Sequence, residues 1–202
     1  MPGYQDRSKL KPTMGPLRIH LFGRLQVQDE HTTLNTLSMR RVGALLACLV
    51  LRFPQPIPRE ELLALIWPEE PLEVAQNRLR VLLNALRRHL SPVLTEGTSV
   101  VLAERSAVQL VPSAFTSDYH DFLSELLEAK VASNDRDSIP HLEAAISHYR
   151  GELLAGYCDE WILAERSQLA SMRYQAVREL VHRLIQIDEP QQIGRASCRE
   201  RV

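Results

Sequence analysis

The chain has 202 residues, 45% of them hydrophobic and 5% aromatic, which is enough for one large domain or two small ones around a packed core. It holds no apolar run of the roughly 18 residues that a bilayer span needs, and its polar start, Met1 to Pro16, lacks the apolar stretch of a signal peptide. Net charge is −1, but residues 1–117 carry 14 Lys+Arg against 10 Asp+Glu and residues 118–190 carry 7 against 14, a mildly basic half joined to an acidic half that suggests two domains with different partners.

Residues 1–16 are polar and rich in Pro and Gly, and read as a disordered lead-in. From Leu17 to Gln28 apolar and polar residues alternate, with Leu17, Ile19 and Leu21 on one face and Arg18 and His20 on the other. Gly23-Arg24 is a turn or bulge, and Asp29 to His31 turns the chain into Thr32 to Leu34. This period of two predicts a small antiparallel sheet.

The period changes after Ser38, an N-cap candidate. Val42, Leu45, Leu46, Leu49 and Val50 recur at helical spacing up to about Pro54. A second helix is predicted from Pro58, with Glu60 and Glu61 near its positive end, to Trp67-Pro68. A third, longer helix runs from about Pro71 to Leu90, where Ser91-Pro92 stops it. Val100 to Leu102 and Val108 to Val111 are strand-like, and Glu96-Gly97-Thr98 is taken as a turn of this hairpin region. After Pro112 helices are expected at about 118–130, 138–149 and 159–187, with loops at Asn134-Asp135 and between Gly151 and Gly156.

The third helix carries the candidate chemistry. On a helical wheel Leu79, Leu82, Leu83, Leu86 and Leu90 form a narrow core-facing arc. The opposite arc holds Asn77, Val81, Asn84 and Arg88, flanked by Arg80 and Arg87 on one side and Arg78 on the other. Residues 74–90 contain four Arg and no acid. Arg donates two hydrogen bonds to guanine, Asn pairs in the same way with adenine, and a small apolar side chain touches the thymine methyl. Arginines on the flanks reach phosphates and release counterions. A solvated arginine face is the plain alternative. The order of elements, a small sheet, three helices and a hairpin, favours a winged helix-turn-helix with the last helix reading DNA.

Several segments, LRIHLFGRLQV, RRVGALLACLVL, IPREELLALIWPEEPLEVAQNRLRVLLNALRRHL and ISHYRGELLAGYCDEWILAERSQL, resemble the Streptomyces antibiotic regulatory protein family. The resemblance covers about residues 17–190. It implies an OmpR/PhoB-type winged helix followed by a bacterial transcriptional activation domain, whose helices stack like tetratricopeptide repeats. The fold class expected is thus mainly α with a small antiparallel β component. The domains expected are a lead-in at 1–16, a winged helix-turn-helix at 17–113, the start of a helical activation domain at 114–190, and a non-native tail at 191–202. The tail segment IGRASCRERV resembles a translated sequencing adapter, so the natural protein is expected to continue past roughly Gln192.

Residue by residue, the resemblance implies that Arg59 to Trp67 is the positioning helix and Asn77 to Arg88 the recognition helix. It places Arg40 and Arg41 in the basic pair that opens the first helix near a phosphate, against the reading of a solvated helix start. Trp67 is better read as core than as a base contact. One departure stands out: the wing turn, placed at Thr95 to Thr98, carries Glu96 where related proteins often carry a basic residue. In the helical half Leu142, Ala145, Ile146 and Tyr149 form one face, and Trp161, Leu163, Leu169, Met172, Ala176, Leu180 and Leu184 are expected to supply the core of a long helix pair. A truncated array should leave apolar surface exposed at its end, or pair it with a second chain.

The expected function is a sequence-specific transcriptional activator acting in the cytoplasm. Its partners would be double-stranded DNA, a second copy in a homodimer on half-sites about one helical turn apart, and RNA polymerase, which the resemblance implies is recruited. The competing reading is a protein-interaction module with a degenerate winged helix. An enzyme is not expected: the sequence has no P-loop, nucleophile elbow or dinucleotide fingerprint. Cys48, Cys158 and Cys198 lie far apart, the seven His are scattered, and no metal or cofactor site is expected.

Overall fold

The computed structural model describes residues 17–29, 32–34, 40–94 and 99–197, with side chains described to residue 187. The lead-in 1–16, the Ser38 cap, the turn at Thr95 to Thr98 and Cys198 lie outside the described residues.

The chain opens with strands β1 (Leu17–His20), β2 (Gln26–Gln28) and β3 (Thr33–Leu34). Alternation does what it should: Leu17, Ile19, Leu21 and Val27 are buried, while Arg18 and His20 are half-buried on the other face. β1 pairs with β2 antiparallel, Ile19 opposite Val27, and β2 with β3. A fourth strand, β7 (Phe115–Ser117), completes the order β3-β2-β1-β7 and lies parallel to β1, with Leu17 opposite Phe115. The sheet thus reaches past the boundary expected at residue 113.

Helix α1 (Arg40–Arg52) is the centre of the core, with every residue from Val42 to Val50 buried. A helix apolar all round is one that other elements surround. Cys48 is one of these buried residues, and burial pushes its thiol up to about 12, so it is packing rather than a nucleophile. A short strand, β4 (Ile57–Pro58), leads into α2 (Arg59–Ile66), which starts directly after Pro58 and carries Glu60 and Glu61 in its first turn. Trp67 closes α2 through its N–H to the Leu63 carbonyl at 2.8 Å. Helix α3 (Leu72–Leu90) buries Ala75, Leu79, Leu82, Leu83, Leu86 and Leu90, the predicted leucine stripe. Arg87, Arg88 and His89 occupy its last turn, where positive charge suits the helix dipole.

Strands β5 (Val101–Ala103) and β6 (Ala107–Leu110) form an antiparallel hairpin, and β4 adds to the outer side of β6. The turn that joins the paired strands is Glu104 to Ala107, closed by the Glu104 N–H to the Ala107 carbonyl at 2.9 Å. The chain reverses at Arg105-Ser106 without a glycine, between the two stretches expected as strands, so the wing turn lies here and not at 95–98, which is outside the described residues.

The remainder is a mainly helical, tetratricopeptide-like array: α4 (Asp118–Val131), α5 (Asp135–His148) and α6 (Glu160–Ser197), each packed on the next. Ser117 caps α4, its Oγ accepting the His120 N–H at 3.2 Å. Asn134, expected in a loop, is the N-cap of α5, with Oδ1 accepting the Asp137 N–H at 2.9 Å. The expected long helix pair is one continuous helix, α6. Only one face of it therefore meets the array. Ile162, Leu169 and Ala176 are buried on that face, while Leu163 and Leu184, expected in the core, are 42% and 44% exposed. Tyr174, Val177, Val181 and Ile185 are also exposed, which leaves an apolar face along α6.

The two halves share one continuous core. Phe22, just after β1, meets Phe122 of α4 edge-on at 5.5 Å and Tyr149 at 4.5 Å between ring centroids. The segment after α5 pairs with the turn after β1: the Leu154 N–H bonds the Leu21 carbonyl at 2.8 Å, and the Ala155 N–H bonds that of Gly23 at 2.7 Å.

Candidate nucleic-acid interface

Helix α3 faces outward with Asn77, Arg78, Arg80, Val81, Asn84, Arg87 and Arg88, all of them exposed. The buried leucine stripe fixes this orientation, because residues three and four apart share a face. Val81, at 62%, is the most exposed large aliphatic residue of the helix. Most of this apolar side chain faces solvent, among the arginines.

On one side of α3 lies an open groove of about 740 Å³ whose walls include Arg40 and Arg41 of α1, Trp67, and Asn77, Arg78, Val81 and Arg88. Six of the nine sequence-predicted residues therefore meet in one concavity. The other three, Arg80, Asn84 and Arg87, are exposed on α3 outside it.

The basic residues differ in what already holds them. Arg41 Nη1–H donates to the Ile66 carbonyl at 3.0 Å, satisfying the open end of α2, and its guanidinium lies 5.5 Å from the Trp67 ring centroid. Trp67 is 5% exposed, so it is core, and its ring orders Arg41 at the groove wall. Arg40 lies 5.5 Å over the ring of Tyr157, which belongs to the helical half. Arg78 pairs with Glu70 from the α2–α3 connection. Such an exposed pair contributes little stability, but it holds the guanidinium beside the groove.

On the other side of α3, Gln76 and Leu79 share a more polar depression with Pro58, Arg59, Glu60 and Arg105. Arg80 follows Gln76 by one helical turn and stands on that flank. Arg105 is exposed in the hairpin turn. Arg59 fastens this turn to α2: its Nε–H donates to the Glu104 carbonyl at 2.9 Å and its main-chain N–H to the Ser106 carbonyl at 2.9 Å. The hairpin turn thus places a basic residue, Arg105, beside α3. The sequence places Arg59 at the start of the positioning helix and Arg105 beyond the first hairpin strand, and assigns neither to the site. The signal that would have found them is the alternation of Val101, Ala103, Val108 and Leu110, which sets the register and hence the turn.

Among the described residues there is no group of three or more His, Cys, Asp or Glu placed to hold a metal ion, and no helix long and apolar enough to cross a membrane.

Residues 35–105 match the family model described as transcriptional regulatory protein, C terminal. No curated protein sequence matches the chain. The fold is similar to that of Mycobacterium tuberculosis EmbR, solved in complex with a low-affinity phosphopeptide: TM-score 0.72 at 24% identity, over 90% of this chain. The match takes in 47% of the EmbR chain, so this chain spans about half the length of that protein. Residues 35–105 thus resemble the C-terminal, winged-helix domain of transcriptional regulatory proteins, and the chain continues from there into a helical array similar in fold to that of EmbR.

Proposed function

We propose that this chain binds double-stranded DNA, with α3 in the major groove, and regulates transcription. The observation that carries the reading is the exposed face of α3: four Arg and no acid over residues 74–90, with Val81 standing bare among them. Asn77, Val81, Asn84 and Arg88 face most directly outward and are assigned to base edges. Arg78, Arg80 and Arg87 on the flanks, with Arg40 and Arg41 across the groove, are assigned to phosphates. Arg105 in the hairpin turn extends the contact as a wing. Recruitment of RNA polymerase, pairing as a homodimer on repeated half-sites and action in the cytoplasm complete the proposal, on the resemblance to the Streptomyces antibiotic regulatory proteins.

Selection of bound duplexes from a random pool tests it. Enrichment of a motif repeated at about one helical turn is the expected result. Failure to enrich any motif would sink the reading. The exposed apolar face of α6, with Tyr174 at 68% and Val181 at 51%, favours the second reading, a protein-interaction module. That reading alone predicts no affinity for any duplex.

A further inference from the structure

Arg40 opens α1 at the wall of the groove, yet its guanidinium rests on a side chain from the other half of the molecule, the ring of Tyr157 at 5.5 Å. Three features fix that ring. A Cβ on Gly43 would collide with the Tyr157 hydroxyl, so α1 is bare where the ring leans on it. The Tyr157 N–H bonds the Leu154 carbonyl at 3.0 Å. Arg166 of α6 donates to the carbonyls of Leu153, Leu154 and Tyr157 at 3.0, 3.1 and 3.1 Å, clamping the segment from behind. Both Leu154 and Gly156 take positive φ, which bends the segment so that Tyr157 returns to α1.

We infer that Tyr157 is a positioning residue for DNA binding: it holds the Arg40 guanidinium at the groove, so that the helical half sets the affinity of the winged helix without touching DNA. The inference rests on the proposed DNA-binding role of Arg40. An arginine loses much rotamer freedom when it grips a phosphate. A flat guanidinium already ordered over an aromatic face has less to lose, and Arg suits this better than Lys because its planar group stacks. Asp159 borders the same depression as Arg40 and Arg41 and offsets part of their charge, whereas the uncharged Tyr157 ring orders Arg40 without adding to that offset.

The test is a double-mutant cycle on the 202-residue chain, read as affinity for a mixed-sequence duplex over a range of salt concentrations. Tyr157→Leu should weaken binding about two- to fivefold, the worth of an exposed cation–π contact, and Tyr157→Phe should restore it. In an Arg40→Ala background Tyr157→Leu should have no further effect. Equal weakening in both backgrounds, or none in the wild-type background, overturns the inference. Should Tyr157→Leu lower the melting temperature, Arg40→Lys gives the same answer without touching the core. It should bind more weakly than the wild type at unchanged charge, and equal binding overturns the inference. If the wild-type chain fails to bind the duplex, the DNA reading falls as well. If it binds and Arg40→Ala binds equally, only the role of Arg40 and this inference fall.

Discussion

The Asp118 carboxylate accepts the main-chain N–H of Leu21 at 2.8 Å, joining positions 97 residues apart. Its second oxygen takes the Phe22 N–H at 3.2 Å and lies 3.5 Å from His20 Nδ1. The first residue of the helical half thus terminates the first strand of the winged-helix half. Burial pushes this carboxyl above its ordinary range, while the two N–H donors pull the other way. Asp118→Ala leaves two interior N–H groups without an acceptor and should cost about 1–3 kcal/mol or more. Asp121→Ala, which removes only a half-exposed pair with Arg18, should cost about 1 kcal/mol or less. Urea unfolding distinguishes the two, and equal losses would mean that the buried junction contributes nothing special.

Each flank arginine of α3 should be visible in salt dependence. Replacing Arg80 or Arg87 by Ala should lower the slope of log affinity against log salt by about 1 if the side chain neutralises a phosphate. Arg88→Ala should instead relax preference at one base position, at a cost of about 1–3 kcal/mol. Glu70→Gln should tighten binding, because it releases Arg78 from its carboxylate partner. A double Arg80→Ala, Arg88→Ala variant that binds like the wild type would remove α3 from the interface.

His120 gives a prediction in pH. Its ring sits among Phe53, Phe115 and Tyr119, with Nδ1 2.7 Å from Ser117 Oγ. Burial lowers its pKa below the ordinary 6.5. The unfolded chain therefore takes up a proton first as pH falls, and stability is lost from 6.5 downward until the folded-state value is passed. His120→Phe should make the melting temperature less sensitive between about pH 7.5 and about pH 5.5. An unchanged pH dependence would show that His120 is not the group responsible.

The two faces of α6 should respond in opposite ways. Leu169→Ala, in the core, should destabilise by about 2–5 kcal/mol. Val181→Glu, on the exposed face, should stay within about 0.5 kcal/mol of the wild type. If Val181→Glu instead unfolds the chain or splits an oligomer seen by sedimentation, that face is covered in solution.

Much of this fold is legible in the sequence because its signals are local. The leucines of α3 repeat at helical spacing, so the outward set from Asn77 to Arg88 follows from the wheel alone, and all of it is exposed. The two hairpin strands are legible by their alternation, but their turn is not: the Arg105-Ser106 reversal holds no glycine and is fixed by pairing with β4 and by Arg59, contacts about 45 residues away in sequence. Leu163 was misplaced because periodicity tells which residues share a face but not which face meets a neighbour. Nor does any spacing join Arg40 to Tyr157, since the pairing exists only once the helical half has folded back on α1.

The parallel pairing of β7 with β1 has a consequence for building hybrids. Residues 115–117 follow the hairpin in the chain, yet they supply the strand beside Leu17 to Ile19, and Asp118 comes directly after them. A graft that joins this winged helix to a foreign helical array at residue 113 would discard that strand and leave one edge of the first sheet bare. A seam placed after α4 would carry both strand and carboxylate along. The two halves are therefore exchangeable between relatives only at a seam that overlaps them, and recombination that respects the apparent domain boundary would tend to break the protein.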